Sequence, residues 1–144
     1  MLVASSAAAG QSTFDRDSVM AEIERVLVLP KGAKPLAAYG RNYALSAQGT
    51  VIGTFLLPLP APAYEGCEVL LADLSSRPCT KAEIADAAAG HAHALSAQAP
   101  AGSRRWFDHR EALPQIFDGG CSQINVEYDI AKHRILRATC NGVA

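Results

Sequence analysis

The chain has no large excess of charge of either sign, few aromatic side chains and no apolar run long enough to cross a membrane. Thirteen bases stand against fourteen acids, with an isoelectric point near 6.4. That balance builds none of the strong positive field that nucleic acid or an anionic membrane requires. The longest apolar run, Val51 to Leu57, is interrupted by Gly53 and Thr54 and falls far short of the ~18 residues of a membrane span. Aromatic residues make up 6% of the chain, and alanine supplies much of its 49% hydrophobic content. Large core-forming side chains are therefore scarce, which makes a covalent staple useful to a domain of 144 residues.

Catalytic signatures are missing too. No GxSxG, phosphate-binding P-loop or GxGxxG occurs. No two cysteines have CxxC spacing, so neither a zinc ribbon nor a thioredoxin-type site is supported. Asp73, Asp108, Glu111 and Asp118 show no paired spacing of the kind a glycosidase needs. No cofactor is expected.

What is present begins with four cysteines, at 67, 79, 121 and 140. Four cysteines allow three pairings, and strand geometry chooses among them. Ser122–Tyr128 and His133–Thr139 alternate apolar and polar residues around the loop Asp129–Lys132, where Asp129 suits the start of a type I turn. In that register Tyr128 faces His133, Val126 faces Ile135, Ile124 faces Arg137 and Cys121 faces Cys140, within reach of a disulfide. Ile124, Val126, Tyr128 and Ile135 then look toward the core. Cys67 and Cys79 remain for each other; a ~15-residue loop closed in this way stabilises by ~3 kcal/mol in the loop-entropy model. Two staples imply an oxidising compartment, the periplasm or the cell exterior. The alternative is four reduced cysteines in the cytoplasm.

The first ten residues lack a basic leading region, yet Ala7-Ala8-Ala9 has the small-residue character of an export cleavage site. Residues 1–11 read as the remnant of a signal segment or as an Ala/Ser-rich disordered end, and residues 12–144 as one domain. Asp15–Leu29 carries Val19, Ile23, Val26 and Leu27 at helical spacing. Leu36–Ala47 and Thr50–Leu57 flank Gln48-Gly49 and predict a hairpin, ended by Pro58, Pro60 and Pro62. Glu68–Leu74 predicts a further strand. Thr80-Lys-Ala-Glu83 is a capping box that opens a second helix to about Ala97, weakened at Gly90. Trp106–Phe117 is ambiguous, because Pro114 breaks any long helix. The expected fold is α+β: an antiparallel sheet of two hairpins plus one strand, with two helices packed on one face.

Candidate functional residues each compete with a plainer role. Cys121, in Asp118-Gly-Gly-Cys-Ser122, could attack a carbonyl with a histidine as base, but a disulfide would remove the thiol. His91 and His93 would share a face on a strand and ligate metal; on the expected helix they point apart. No metal site is expected. Tyr39, Arg41, Tyr43 and Leu45 share one face of the first hairpin, as a binding surface or as core with the arginine stem lying along the rings. Arg104-Arg105-Trp106-Phe107 is a basic-aromatic cluster that could stack on a base, but Asp108 and Glu111 follow at once; it reads instead as a surface patch or a cap on the core.

The stretches Tyr39-Gly-Arg-Asn-Tyr43-Ala, Gly53-Thr-Phe55 and Asp118-Gly-Gly-Cys-Ser-Gln-Ile-Asn-Val126, closing with Cys140-Asn-Gly142, resemble an uncharacterised group of small exported proteobacterial proteins. The resemblance implies export and no known activity. The sequence thus points to a non-enzymatic envelope or periplasmic protein with a binding or accessory role, its partner another envelope protein. A small thiol hydrolase using Cys121 with a histidine and a structural envelope component are the alternatives.

Overall fold

A computed structural model describes residues 14–142; the expected signal-like segment at residues 1–11 lies outside the described residues. The chain is α+β. Its main sheet has five strands in the order β5-β1-β2-β6-β7, formed by β1 (Gly40–Leu45), β2 (Thr50–Leu56), β5 (Arg104–Trp106), β6 (Gln123–Asp129) and β7 (Arg134–Cys140). A separate ribbon pairs β3 (Glu68–Leu70) with β4 (Ser76–Pro78).

Local chemistry explains most of these elements. Helix α1 (Arg16–Val26) is capped by Asp15, whose carboxylate accepts from the Asp17 and Ser18 amides. Its apolar stripe of Val19, Met20 and Ile23 is buried against Tyr39, Tyr43, Val51, Phe55, Ile124, Val126 and Tyr128. Gly49 at φ +78° closes the β1–β2 hairpin, where the left-handed region favours glycine. Helix α2 (Lys81–Ser96) opens with the expected capping box, the Thr80 hydroxyl accepting from the Glu83 amide while the Glu83 carboxylate accepts from the Thr80 amide.

Three expectations need correction. The main sheet is mixed, because β5 runs parallel to β1 with Arg41 beside Arg104 and Tyr43 beside Trp106. The segment expected as a strand over 68–74 does not join that sheet. It turns back after Leu70, because Asp73 accepts from the Ser75 amide and Leu71 and Leu74 close the turn through backbone bonds. Of the two helices among the described residues, only α1 packs on the sheet; no side chain of α2 is buried.

The C-terminal hairpin does contain the Cys121–Cys140 disulfide, and Cys67–Cys79 closes the ribbon. Its register differs from the expected one. Ile124 faces Cys140, Val126 faces Ala138 and Tyr128 faces Ile135, with a bulge that leaves Leu136 unmatched. The strands run on to Asp129 and Arg134, and His133 takes a left-handed φ of +51° in the connecting loop. Cys121 has left the ladder for a short 3-10 turn at Gly120–Ser122, which still brings its Cα within 4.5 Å of that of Cys140. The core face of β6 is as expected, with Ile124, Val126 and Tyr128 all buried.

The ribbon is joined to α2 through Glu83, which also receives both terminal nitrogens of Arg77, at 3.0 and 2.7 Å. The Arg77 bond, followed by the Thr80 amide, pulls the Glu83 pKa down to about 2. The ionised form is favoured by folding, so its contribution is complete above the ordinary glutamate value and lost as pH falls through about 2. A carboxyl titration followed by NMR should place Glu83 near pH 2, and Arg77→Ala should return its midpoint toward 4.5; a normal midpoint in the unmodified chain would contradict the bridge.

Candidate interaction surface

The side chains singled out from the sequence fall into three places. Tyr39 and Tyr43 are fully buried and Arg41 nearly so. The binding-surface reading of these three is therefore corrected: they belong to the core and its polar lining. Burial follows because the α1 side of the sheet is covered, and the plainer expectation, an arginine laid among rings, describes the site. Only Leu45 on that strand reaches solvent.

Tyr39 donates its hydroxyl hydrogen to the Cys121 carbonyl at 2.6 Å and accepts from the Lys34 amide at 3.0 Å. It thereby ties the 31–34 turn to the stapled end of the sheet. Arg41 donates from Nε to Glu24 Oε1 at 2.8 Å, and the Tyr43 hydroxyl donates to the same oxygen at 3.0 Å. Arg104 reaches Glu24 Oε2 at 3.3 Å. Burial, and then the neighbouring carboxylate, hold the Tyr43 phenol neutral far above the ordinary tyrosine range. The parallel β1–β5 pairing sets two arginines side by side, and Glu24 from α1 offsets their repulsion. Sequence reading missed Glu24. Its one signal was its place four residues after buried Met20, on the helix face that meets the sheet.

Trp106 is half-buried. Phe14 meets it edge-on at 5.6 Å and the Arg16 guanidinium lies 5.3 Å from its ring centre, while Arg16 also pairs with Asp108. Phe107 is buried with Ala44 and Leu113 beneath the Arg105 guanidinium. The basic-aromatic cluster is thus occupied by its own neighbours. Cys121 has no thiol, since its sulfur is bonded to Cys140. His91 lies on α2 against the Leu59 carbonyl, 3.1 Å away, and no group of three potential metal ligands occurs among the described residues.

The surface with unsatisfied apolar area lies elsewhere, on residues that sequence reading did not single out. Between β2 and β5 the chain makes an excursion: a proline-rich stretch from Pro58, the stapled ribbon, then α2. Of the nine large hydrophobics exposed among the described residues, five lie on this arm: Leu59, Leu70, Leu71, Leu74 and Leu95. Leu70 is 69% exposed and Leu74 81% exposed. Leu74 also holds φ at +69°, a conformation that costs a side-chain-bearing residue roughly 1–2 kcal/mol. The turn therefore presents this leucine to water at a conformational cost. At the root of the arm an apolar cavity of about 210 Å³ opens between Pro58, Leu95, Gln98, Ala99 and Pro100. The arm rejoins the sheet through Asn42, which accepts from the Ala99 amide at 2.7 Å and donates to the Thr54 carbonyl at 2.9 Å. Gly40 lets the returning chain come close, since a Cβ there would lie within 1.8 Å of the Ala99 carbonyl oxygen.

No protein-family model, curated protein sequence or solved structure matches the chain.

Replacing Glu24 with Gln should leave two arginines competing for one neutral acceptor and lower the free energy of unfolding by about 2–3 kcal/mol. Denaturant unfolding measures this directly. An unchanged midpoint would show that the carboxylate does not hold α1 to the sheet.

Proposed function

We propose that the chain is an exported protein of the periplasm or cell exterior that works by binding another protein rather than by catalysis. The observation that carries this reading is the engagement of all four cysteines in two disulfides, Cys67–Cys79 and Cys121–Cys140. Such staples persist where the surroundings are oxidising. They also remove the strongest nucleophile the sequence offered, because a sulfur in a disulfide is no thiolate. No helix among the described residues is long and apolar enough to cross a membrane.

The binding role rests on the arm. A two-stranded ribbon is marginal alone, yet here a disulfide and the Arg77–Glu83 pair hold it with its leucines in solvent. Exposed apolar groups on a rigid mount lose little conformational freedom when they dock, which favours association.

Cells producing the chain can be fractionated and alkylated without reductant. The expected result is a chain in the exported fraction that takes no label until reduced and then labels at all four cysteines. Label at Cys121 before reduction, or a fully labelled chain in the cytoplasm, would contradict the proposal and revive the thiol-hydrolase reading.

A further inference from the structure

We infer that the leucine-tipped arm of one copy docks on the β7 edge of a second copy of this chain, head to tail. The inference deepens the binding reading above, because it names the partner.

The arm is acidic. Between Leu57 and Ala97 stand five acids (Glu65, Glu68, Asp73, Glu83 and Asp86) against two bases, Arg77 and Lys81. The rest of the chain therefore holds eleven bases against nine acids. At the tip, Asp73 sits among Leu70, Leu71 and Leu74. Serine donors at Ser75 hold its carboxyl below the usual range, so it stays charged at neutral pH.

The β7 edge of the main sheet has the complementary character. Among the described residues β7 is the last strand of the main sheet, and the outer row of its backbone groups has no strand partner there. Leu136, put out of register by the bulge, is 44% exposed. Lys132, Arg134 and Arg137 flank it in the sequence, and none of the ion pairs among the described residues uses them. Glu127 and Asp129 lie across the ladder from Arg137 and Arg134, leaving the hairpin with three bases against two acids. Leucine among acids on the arm thus matches leucine among bases on the edge.

Charge also selects the arrangement. Two β7 edges placed together would set Arg134 and Arg137 against the same cations, and two arm tips would set Asp73 and Glu68 against the same acids. Like charges brought together in this way oppose association. Arm to edge is the pairing without that penalty. Such a contact is heterologous, and it builds rings or open chains rather than a closed two-fold dimer.

Sedimentation of the oxidised full-length chain tests this. The unmodified protein should associate as its concentration rises, and association should weaken at about 1 M salt, where screening acts within roughly 3 Å. An arm variant, Leu70→Ser with Leu74→Ser, should remain monomeric alone. So should an edge variant, Arg134→Glu with Arg137→Glu. Mixed in equal amounts, the two should form a one-to-one dimer and nothing larger, because one intact arm meets one intact edge. Circular dichroism and the thiol count confirm that each variant is folded and stapled. An unmodified chain that stays monomeric at all concentrations would overturn the inference, and so would variants that associate as before or a mixture that stays monomeric. None of these results would move a chain out of the exported fraction or free its thiols, so the compartment reading stands or falls separately.

Discussion

Glu24 reaches from the one helix that packs on the sheet to the place where β1 and the parallel edge strand β5 meet, and one of its oxygens serves Arg41 and Tyr43 together. Without an acid there, Arg41 and Arg104 would stand side by side with nothing to offset them. The pairing matters because β5 contributes only three residues to the sheet. β5 is antiparallel to β2, so the chain leaves and rejoins the sheet at the same end, and the stretch between these two strands is the arm. The carboxylate therefore holds the strand to which the arm returns.

The arm does more than connect β2 to β5. It carries a helix of 16 residues, yet α2 buries none of its side chains. Its stability comes from local devices instead: a capping box, the Arg77–Glu83 pair and the disulfide at the base of the ribbon. Local devices of that sort hold a shape without demanding burial, and they leave the leucines available. Asn42 fixes the return of the chain at Ala99 with a buried hydrogen bond, so the arm is anchored at both ends.

Elements set by neighbouring residues were legible in the sequence. Asp15 and Thr80 announce both helices, Gly49 the first hairpin, and the cysteine positions the two staples. Non-local features were not. Arg104-Arg105-Trp106 is too short to alternate and pairs with a strand far away in the sequence. Every β1 residue but the last is buried, on both faces of the sheet, so alternation could not tell a surface from a core at Tyr39, Arg41 and Tyr43. The Cys121–Cys140 pairing was reached through a register that does not occur. A left-handed His133 and the bulge at Leu136 shift the ladder, and the 3-10 turn at Cys121 brings the sulfur back. Neither the His133 conformation nor the bulge carries a glycine to advertise it.

Exposed leucine at the ribbon tip and exposed leucine between arginines at the sheet edge are the two halves of the account. Amide hydrogen exchange on the oxidised chain, compared between dilute and concentrated solution, observes both halves at once. Protection should rise together over 70–75 and 134–140, with the rest of the sheet unchanged. Protection of one segment without the other, or of neither, would contradict a contact between arm and edge.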